Sequence, residues 1–258
     1  MIKTLEKLIA QKYIIQIDEI HKRHGTGVDG KIGEAYYFKI FSLGVEARDN
    51  SEVMLHAIEK CENHFIGRHI GKFLSNDVDF LKKAVEINPG LYQYGSSKAR
   101  NDFDLAKQAI EKNSYTYKSI GDGLKENKEL AILAMKTHTQ TYQYMSATLQ
   151  ADKDVVNCAL DKGPLSQSET RYLLDSFNAI PSELKSDFKF MKKVASVIHE
   201  NGNDHLRHVL DCKECEKFKD SIGESGSVFK SMQSWELSQN LQAKLKPKIQ
   251  SQTPRMKI

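Results

Sequence analysis

Two histidines and two cysteines lie close together in the last quarter of the chain, and these are side-chain types that bind zinc. His205, His208, Cys212 and Cys215 follow one another at intervals of three, four and three residues. A zinc site needs four such ligands in a tetrahedral arrangement, but this spacing spreads them along one helix stripe over roughly 15 Å. The spacing therefore predicts an ordinary helix face and no metal site. A break in the helix, or a partial site completed by His199, is the alternative, and thiol redox chemistry is less favoured.

A glycine-rich segment near the N-terminus has the spacing of a phosphate-binding loop. Residues 25–31 read GTGVDGK. Ile32 stands where such a loop has a magnesium-binding Ser or Thr, and the residues before it have a helical pattern where the motif needs a strand. We interpret the segment as a glycine-terminated turn between helices.

Other catalytic signatures do not occur in the sequence. No serine lies in a nucleophile-elbow motif, and there is no His-Glu-x-x-His. Most carboxylates fall where helices are predicted to begin, and capping explains them there. The sequence predicts a protein that is not an enzyme and that uses no cofactor and no metal.

The middle of the chain repeats every 25 residues, and these units are the elements that must position any site. Three units align without a gap, an earlier one has a two-residue insertion, and a later one matches in part. The three units without a gap are residues 76–100, 101–125 and 126–150, the earlier unit is 49–75, and the later one is 151–164. A more diverged copy starts at Asp187. Because a unit this short cannot bury its apolar face alone, neighbouring units must stack.

The aligned columns predict a pair of short helices in each unit. The second position holds residues that cap a helix N-terminus, and the fourth holds an acid in the first turn. The capping residues are Asn50, Asp77, Asp102, Asn127 and Asp152. Apolar residues then recur one turn apart. Tyr92, Tyr117 and Tyr142 share a column in a second helix, which is predicted to be about ten residues long.

These patterns predict an all-α protein, a superhelical (solenoid-like) array of short helical hairpins with helical N- and C-terminal caps. The predicted segments are a helical N-terminal cap (1–48, with a helix over 3–24), the helical-hairpin repeats (49–164), a C-terminal helical region (165–222), and a linker, last helix and basic tail (223–258). Pro247 and Pro254 are expected to break that tail and leave it disordered.

The repeated columns resemble a family of short tandem repeats found mainly in uncharacterised bacterial proteins. In that family an Asp-x-Asp/Glu start leads into an apolar pair, an Ala-Val/Ile pair and a later Tyr, and the resemblance covers about residues 49–164. The family has no assigned function or catalytic residues. The resemblance therefore implies a bacterial, phage or mobile-element origin and transfers no site.

Composition narrows the class of protein. The net charge is +4, and no apolar run approaches the length of about 18 residues that can cross a bilayer. The N-terminus is charged and amphipathic, unlike a signal peptide, and four cysteines in a chain of this length favour reduced thiols. We expect no membrane association and a cytoplasmic location. Delivery into a host cell by a dedicated secretion machine would leave no cleavable signal and stays open.

Two groups of side chains are candidate binding residues. Ile132 and Leu133 make their helix apolar all round, so either the C-terminal region covers them or they form a docking patch for another protein or a second copy. Tyr94 and Tyr144 share a column that forms either an aromatic surface or the seams between units.

Repeat arrays are commonly used to recognise other macromolecules. The sequence therefore favours a non-catalytic protein-binding module that acts as an adaptor, inhibitor or secreted effector on a target protein, with homodimerisation as a further option. Nucleic acid is the alternative partner. It is less favoured because acids are interspersed in every unit and the densest basic stretch lies in the tail.

Overall fold

The computed structural model describes residues 2–24, 42, 44–61, 63–161, 182–200 and 228–250. In these residues, all the regular secondary structure is helical. The predicted all-α class is confirmed for these residues. The α-helices are α1 (Ile2–His24), α2 (Val45–Arg48), α3 (Ser51–Glu59), α4 (Val78–Ile87), α5 (Ser97–Arg100), α6 (Phe103–Lys112), α7 (Lys128–Thr137), α8 (Ala147–Gln150), α9 (Lys153–Leu160), α10 (Ser182–Lys185), α11 (Phe188–Glu200) and α12 (Val228–Gln250). None of them is long and apolar enough to span a membrane.

The chain divides into two compact bodies, Met1–Leu149 and Gln150–Ile258. The division lies inside the predicted repeat segment 49–164. In the first body, α1 packs on α3, and His56 Nε2 lies 2.7 Å from Asp18 Oδ1. The predicted N-terminal helix is confirmed.

The first helix of each unit begins at the predicted capping residue. Each capping side chain accepts a hydrogen bond from the backbone amide three residues on, which satisfies a donor with no partner inside the helix. The pairs are Asn50–Val53 (3.1 Å), Asp77–Phe80 (3.1 Å), Asp102–Leu105 (2.8 Å), Asn127–Leu130 (3.1 Å) and Asp152–Val155 (3.2 Å). The Ala column at 84, 109 and 134 is fully buried, as a close helix approach requires.

The second helix of each unit differs from the prediction. A six-residue 3-10 helix stands in place of one α-helix of about ten residues. These 3-10 helices are His64–His69, Pro89–Tyr94, Ser114–Ser119 and Thr139–Tyr144. Gly95, Ile120 and Met145 follow the last three with ψ angles of 149°, 152° and 155°. This extended residue ends the helix, since an α-helix needs a negative ψ there.

The residue after this break bonds to the preceding unit. Ser96 N donates to Ser75 O over 2.7 Å, and Gly121 N donates to Arg100 O over 2.9 Å. Arg100 also donates from Nη1 to Ser119 O over 2.8 Å. The amide that a continuous helix would use internally therefore joins consecutive units.

Consecutive units alternate between two forms. In units 76–100 and 126–150, Ser96 and Ser146 cap the short helices α5 and α8. In units 49–75 and 101–125, the same column holds Gly71 and Gly121, and 3-10 helices Leu74–Asn76 and Asp122–Leu124 replace the short α-helices. The structural period over these four units is therefore 50 residues, twice the sequence repeat.

The glycines are needed because the side chain at the first position of the same unit occupies the space beside them. A Cβ on Gly121 would lie 2.3 Å from Asn101 Oδ1, and one on Gly71 would lie 2.0 Å from Asp49 Oδ1. The same oxygens accept backbone amides downstream, Asn101 Oδ1 from Gly123 (2.8 Å) and Asp49 Oδ1 from Phe73 (2.8 Å).

The second body has its own helix contacts. Asp187 caps α11, and its Oδ1 accepts from Phe190 N over 3.1 Å, as the diverged copy at this position predicts. In α12, the Trp235 ring lies 4.8 Å from that of Phe188, which makes it a packing residue. The helix continues through Pro247 to Gln250, so the predicted break at this proline is wrong. Pro254 lies outside the described residues.

Candidate functional site

One surface of the first body lacks acidic residues. It is formed by the exposed parts of residues 63–71, 88–96, 113–121 and 138–146, which we call the turn face. These four segments contain Arg68, Lys118 and three histidines, but no Asp or Glu. The first helices of the units carry cations and acids in similar measure. The turn face therefore carries a net positive charge.

Two lysines on the helical side of the array form ion pairs with acids of a consecutive unit. Lys107 Nζ lies 3.0 Å from Glu129 Oε1, and Lys112 Nζ lies 2.7 Å from Glu86 Oε1. Lys118 and Arg68 form no ion pair with any described residue. The positive charge of the turn face is therefore not neutralised locally.

Aromatic and basic side chains occur together in alternate units of this face. The Arg68 guanidinium lies over the Phe65 ring, 4.9 Å from its centroid. In the unit two further on, Tyr115 and Lys118 occupy the same two columns, whereas the unit between has Gly90 and Gln93. The 50-residue alternation therefore also sets the chemistry of the surface.

A groove of about 200 Å³ lies between these aromatic positions. Three consecutive units contribute its walls, which are His64, Asn88, Pro89, Gly90, Gln93, Asn113, Tyr115, Thr116, Lys118 and Ser119. Gly90 stands where the neighbouring units carry Phe65 and Tyr115, and its lack of a side chain lets His64 of the preceding unit pack closely against it. A Cβ on Gly90 would lie 2.9 Å from His64 Cβ.

The far wall of the groove is held by contacts with the next unit. Tyr115 Oη donates to Gln140 Oε1 over 2.6 Å, and its ring centroid lies 4.9 Å from that of His138. His138 Nδ1 lies 2.8 Å from Ser114 Oγ. His138 occupies the column in which Asn63, Asn88 and Asn113 cap the 3-10 helices, and it forms this contact between units instead of a cap.

The two tyrosines proposed from sequence differ in environment. Tyr94 is half-buried, and its ring covers Gly67, where an added Cβ would lie 2.1 Å from Cδ2. Tyr144 is 42% exposed. Tyr94 is therefore a seam residue, while Tyr144 belongs to the exposed turn face. Sequence reasoning missed Phe65, Arg68, Tyr115 and Lys118, although a comparison of every second unit would have shown them.

Ile132 and Leu133 lie on α7 and are both half-buried. In the two preceding units, the column of Ile132 holds Lys82 and Lys107. The column of Leu133 holds Lys83 and Gln108. Lys107 and Gln108 make polar contacts with neighbouring units there. α7 replaces those contacts with apolar surface, which keeps this pair a candidate second binding surface.

The predicted metal and phosphate candidates fall mostly outside the described residues. His205, His208, Cys212, Cys215 and the segment 25–31 all lie there. Within the described residues, no group of three or more His, Cys, Asp or Glu side chains could hold a metal ion.

A second cavity of about 430 Å³ lies beside α1. Its walls include Tyr13, Gln16, Ile20 and the exposed pair Glu19–Arg23, whose closest atoms lie 3.6 Å apart. A surface ion pair of this kind contributes little to binding or stability.

Electrostatics support a positive potential at the start of the turn face. Burial, followed by the charges of Arg48 and Arg68, lowers the pKa of His69. His69 is therefore held in its neutral form near neutral pH.

Comparisons with known proteins give one partial match. Residues 77–125 match a sequence family described as Domain of unknown function (DUF4116). This segment contains two consecutive units, one of each alternating form. No curated protein and no solved structure is significantly similar to the chain.

Proposed function

We propose that the chain is a non-catalytic protein-binding module in which the 25-residue units stack into a superhelical array and the turn face receives the partner. The observation that supports it is a surface that has no Asp or Glu, that exposes aromatic rings, and whose two cations form no ion pair with any described residue. Exposed aromatic rings with neighbouring cations are the groups that most often anchor a protein interface. An adaptor, inhibitor or secreted effector of bacterial, phage or mobile-element origin would use such a surface to occupy a target.

The test is capture of a partner by the full chain from native lysate, with and without nuclease. A Tyr115→Ala chain should lose the captured protein. A Tyr144→Ala chain tests the outer part of the same face, and Lys83→Glu on α4 serves as the control on the helical side. Capture that is equal in all four chains would contradict a role for the turn face.

Nucleic acid is the second candidate, favoured by the same lack of acids and by exposed rings on which bases could stack. Two unpaired cations give a weak electrostatic contribution. A single-stranded oligonucleotide bound by them would show a salt slope of only about −1.4 in log K against log salt. Nuclease-sensitive capture together with a steeper slope would favour this reading over a protein partner.

A further inference from the structure

The groove lined by Gly90 and its neighbouring units has the shape and charge to bind a particular kind of partner segment. Building on the function proposed above, we infer that this groove binds an extended, acidic peptide strand of the partner protein. A carboxylate of that strand pairs with Lys118, and the backbone of the strand lies between Tyr115 and His64.

The shape of the groove suits an extended chain. Pro89 and Gly90, both half-buried, line it between the two neighbouring units. His64 of the preceding unit and Tyr115 of the following unit form the walls on either side. A strand lying in the groove would contact three consecutive units, whereas the fixed bulk of a helix needs a wider channel than about 200 Å³ provides.

Side-chain amides of the wall offer hydrogen-bonding groups of complementary types. Asn113 Oδ1 accepts from Tyr115 N over 3.1 Å, so its side-chain NH₂ points away from that bond and makes none with a described residue. Gln93 Nε2 donates to Gly90 O over 3.0 Å, which leaves the exposed Gln93 Oε1 as an acceptor. One donor and one acceptor are what the C=O and N–H of an extended peptide require.

Charge selects the side chains of that peptide. The groove walls contain Lys118 and His64 and no carboxylate. Arg68 adds a second cation beside Phe65. Asp or Glu side chains of the peptide would form charge-assisted hydrogen bonds there, and a basic peptide would be repelled.

The experiment uses the full chain and a phage-displayed library of random dodecapeptides. Enriched peptides should contain Asp or Glu, and one of them is then synthesised with a fluorescent label. Its affinity is measured by anisotropy, beside a copy in which each Asp and Glu is replaced by Asn and Gln. We expect the amide copy to bind about tenfold more weakly or worse, since it loses its charge-assisted bonds.

Three variants assign the peptide to the groove. Lys118→Gln copies Gln93 and Gln143 of the alternate units, so it should fold normally and weaken the acidic peptide about three- to tenfold. Lys118→Glu should weaken it further. Lys83→Glu, on α4, changes the net charge by as much as Lys118→Glu does, and it should leave the affinity for the acidic peptide unchanged.

Four outcomes would overturn the inference: no enrichment, enriched peptides without acids, equal affinity for the amide copy, or equal effects of the substitutions at Lys118 and Lys83. Binding of an oligothymidylate probe in place of any peptide, with loss in Lys118→Gln, would also overturn it in favour of nucleic acid. Partner capture that depends on Tyr115 but involves a neutral peptide would refute this inference while leaving the proposed function standing.

Discussion

Tyr92 Oη donates a 2.7 Å hydrogen bond to the carbonyl oxygen of Arg100, eight residues further along its own unit. Tyr117 occupies the same column in the next unit and is equally buried, but its hydroxyl has no hydrogen-bond partner among the described residues. The difference follows the alternation of units. Arg100 ends the short helix α5, whereas the following unit has a 3-10 turn at the same position.

The two tyrosines should respond differently to removal of the hydroxyl. Tyr92→Phe loses a buried hydrogen bond and should lower the free energy of unfolding by about 0.5–1.5 kcal/mol. Tyr117→Phe removes a buried polar group with no partner and should be neutral or stabilising. Urea denaturation followed by circular dichroism measures both. Equal losses in the two variants would mean that Tyr117 has a partner after all.

A second prediction concerns the pair Gly121 and Asn101. Gly121→Ser copies Ser96, but its Cβ would lie 2.3 Å from Asn101 Oδ1, so it should destabilise the first body by about 1–3 kcal/mol through overpacking. Asn101→Gly alone should also destabilise, because it removes the bond to Gly123 N. In the double variant the clash is absent, so the loss should be smaller than the sum of the two single losses by at least about 0.5 kcal/mol.

Additive losses in this double-mutant cycle would contradict the packing argument. Ser96→Gly is the matched control in the other form of unit, where it removes a cap and creates no clash. It should cost only about a few tenths of a kcal/mol, because glycine is itself tolerated at a capping position.

The first helix of each unit was predictable because its signals are local. A capping residue, an acid in the first turn and apolar pairs one turn apart all lie within ten residues of Asp77 or Asp102. The second helix was mispredicted because its end depends on another unit. The amide of Ser96 bonds to Ser75 O and the amide of Gly121 to Arg100 O, and these contacts replace the bonds of a longer α-helix.

The candidate site was only partly predictable for a related reason. Tyr94 and Tyr144 share a column, but Tyr94 covers Gly67 while Tyr144 is exposed, since only the first of them follows a unit with glycine in the Tyr92 column. In α1, Leu8 lies about 180° around the helix from the buried Ile17 and is 62% exposed. Helical spacing therefore predicts the exposed face of one helix, but the repeat column alone does not show which tyrosine a neighbouring unit covers.

Loss of one capping side chain should have similar effects throughout the array. Asp77→Ala, Asp102→Ala and Asp152→Ala should each cost about 0.5–2 kcal/mol, since each leaves an N-terminal amide without its acceptor. Asp104→Ala is the control. Its carboxylate is exposed and 3.9 Å from Lys82 Nζ, a surface pair of small energetic value. Thermal unfolding of the four variants tests this, and a larger loss for Asp104→Ala would contradict it.

The apolar pair on α7 provides a test of the second surface. Ile132→Lys with Leu133→Gln introduces residues of the types found in the preceding unit. We expect a folded protein whose helical content is unchanged, and which loses any self-association measured by light scattering. Cooperative unfolding at a much lower temperature would instead show that these residues belong to an internal core. Lys82→Ala with Lys83→Ala on α4 controls for changes to a helix surface in general.

The buried tyrosines should make the protein unstable at alkaline pH. Burial raises the pKa of Tyr92 and Tyr142, and burial together with the charge of Glu126 raises that of Tyr117 to about 12. An unfolded tyrosine titrates near about pH 10. Because the folded-state pKa is the higher one, the contribution of these groups to stability is fully present below about pH 10 and is lost as the pH rises toward about 12.

Tyr117→Phe removes one of these groups, so its advantage in unfolding free energy over the native chain should grow between neutral pH and about pH 11. Tyrosinate absorbance, followed with circular dichroism, should show these rings ionising together with unfolding. Parallel stability curves for the native chain and Tyr117→Phe would contradict the argument.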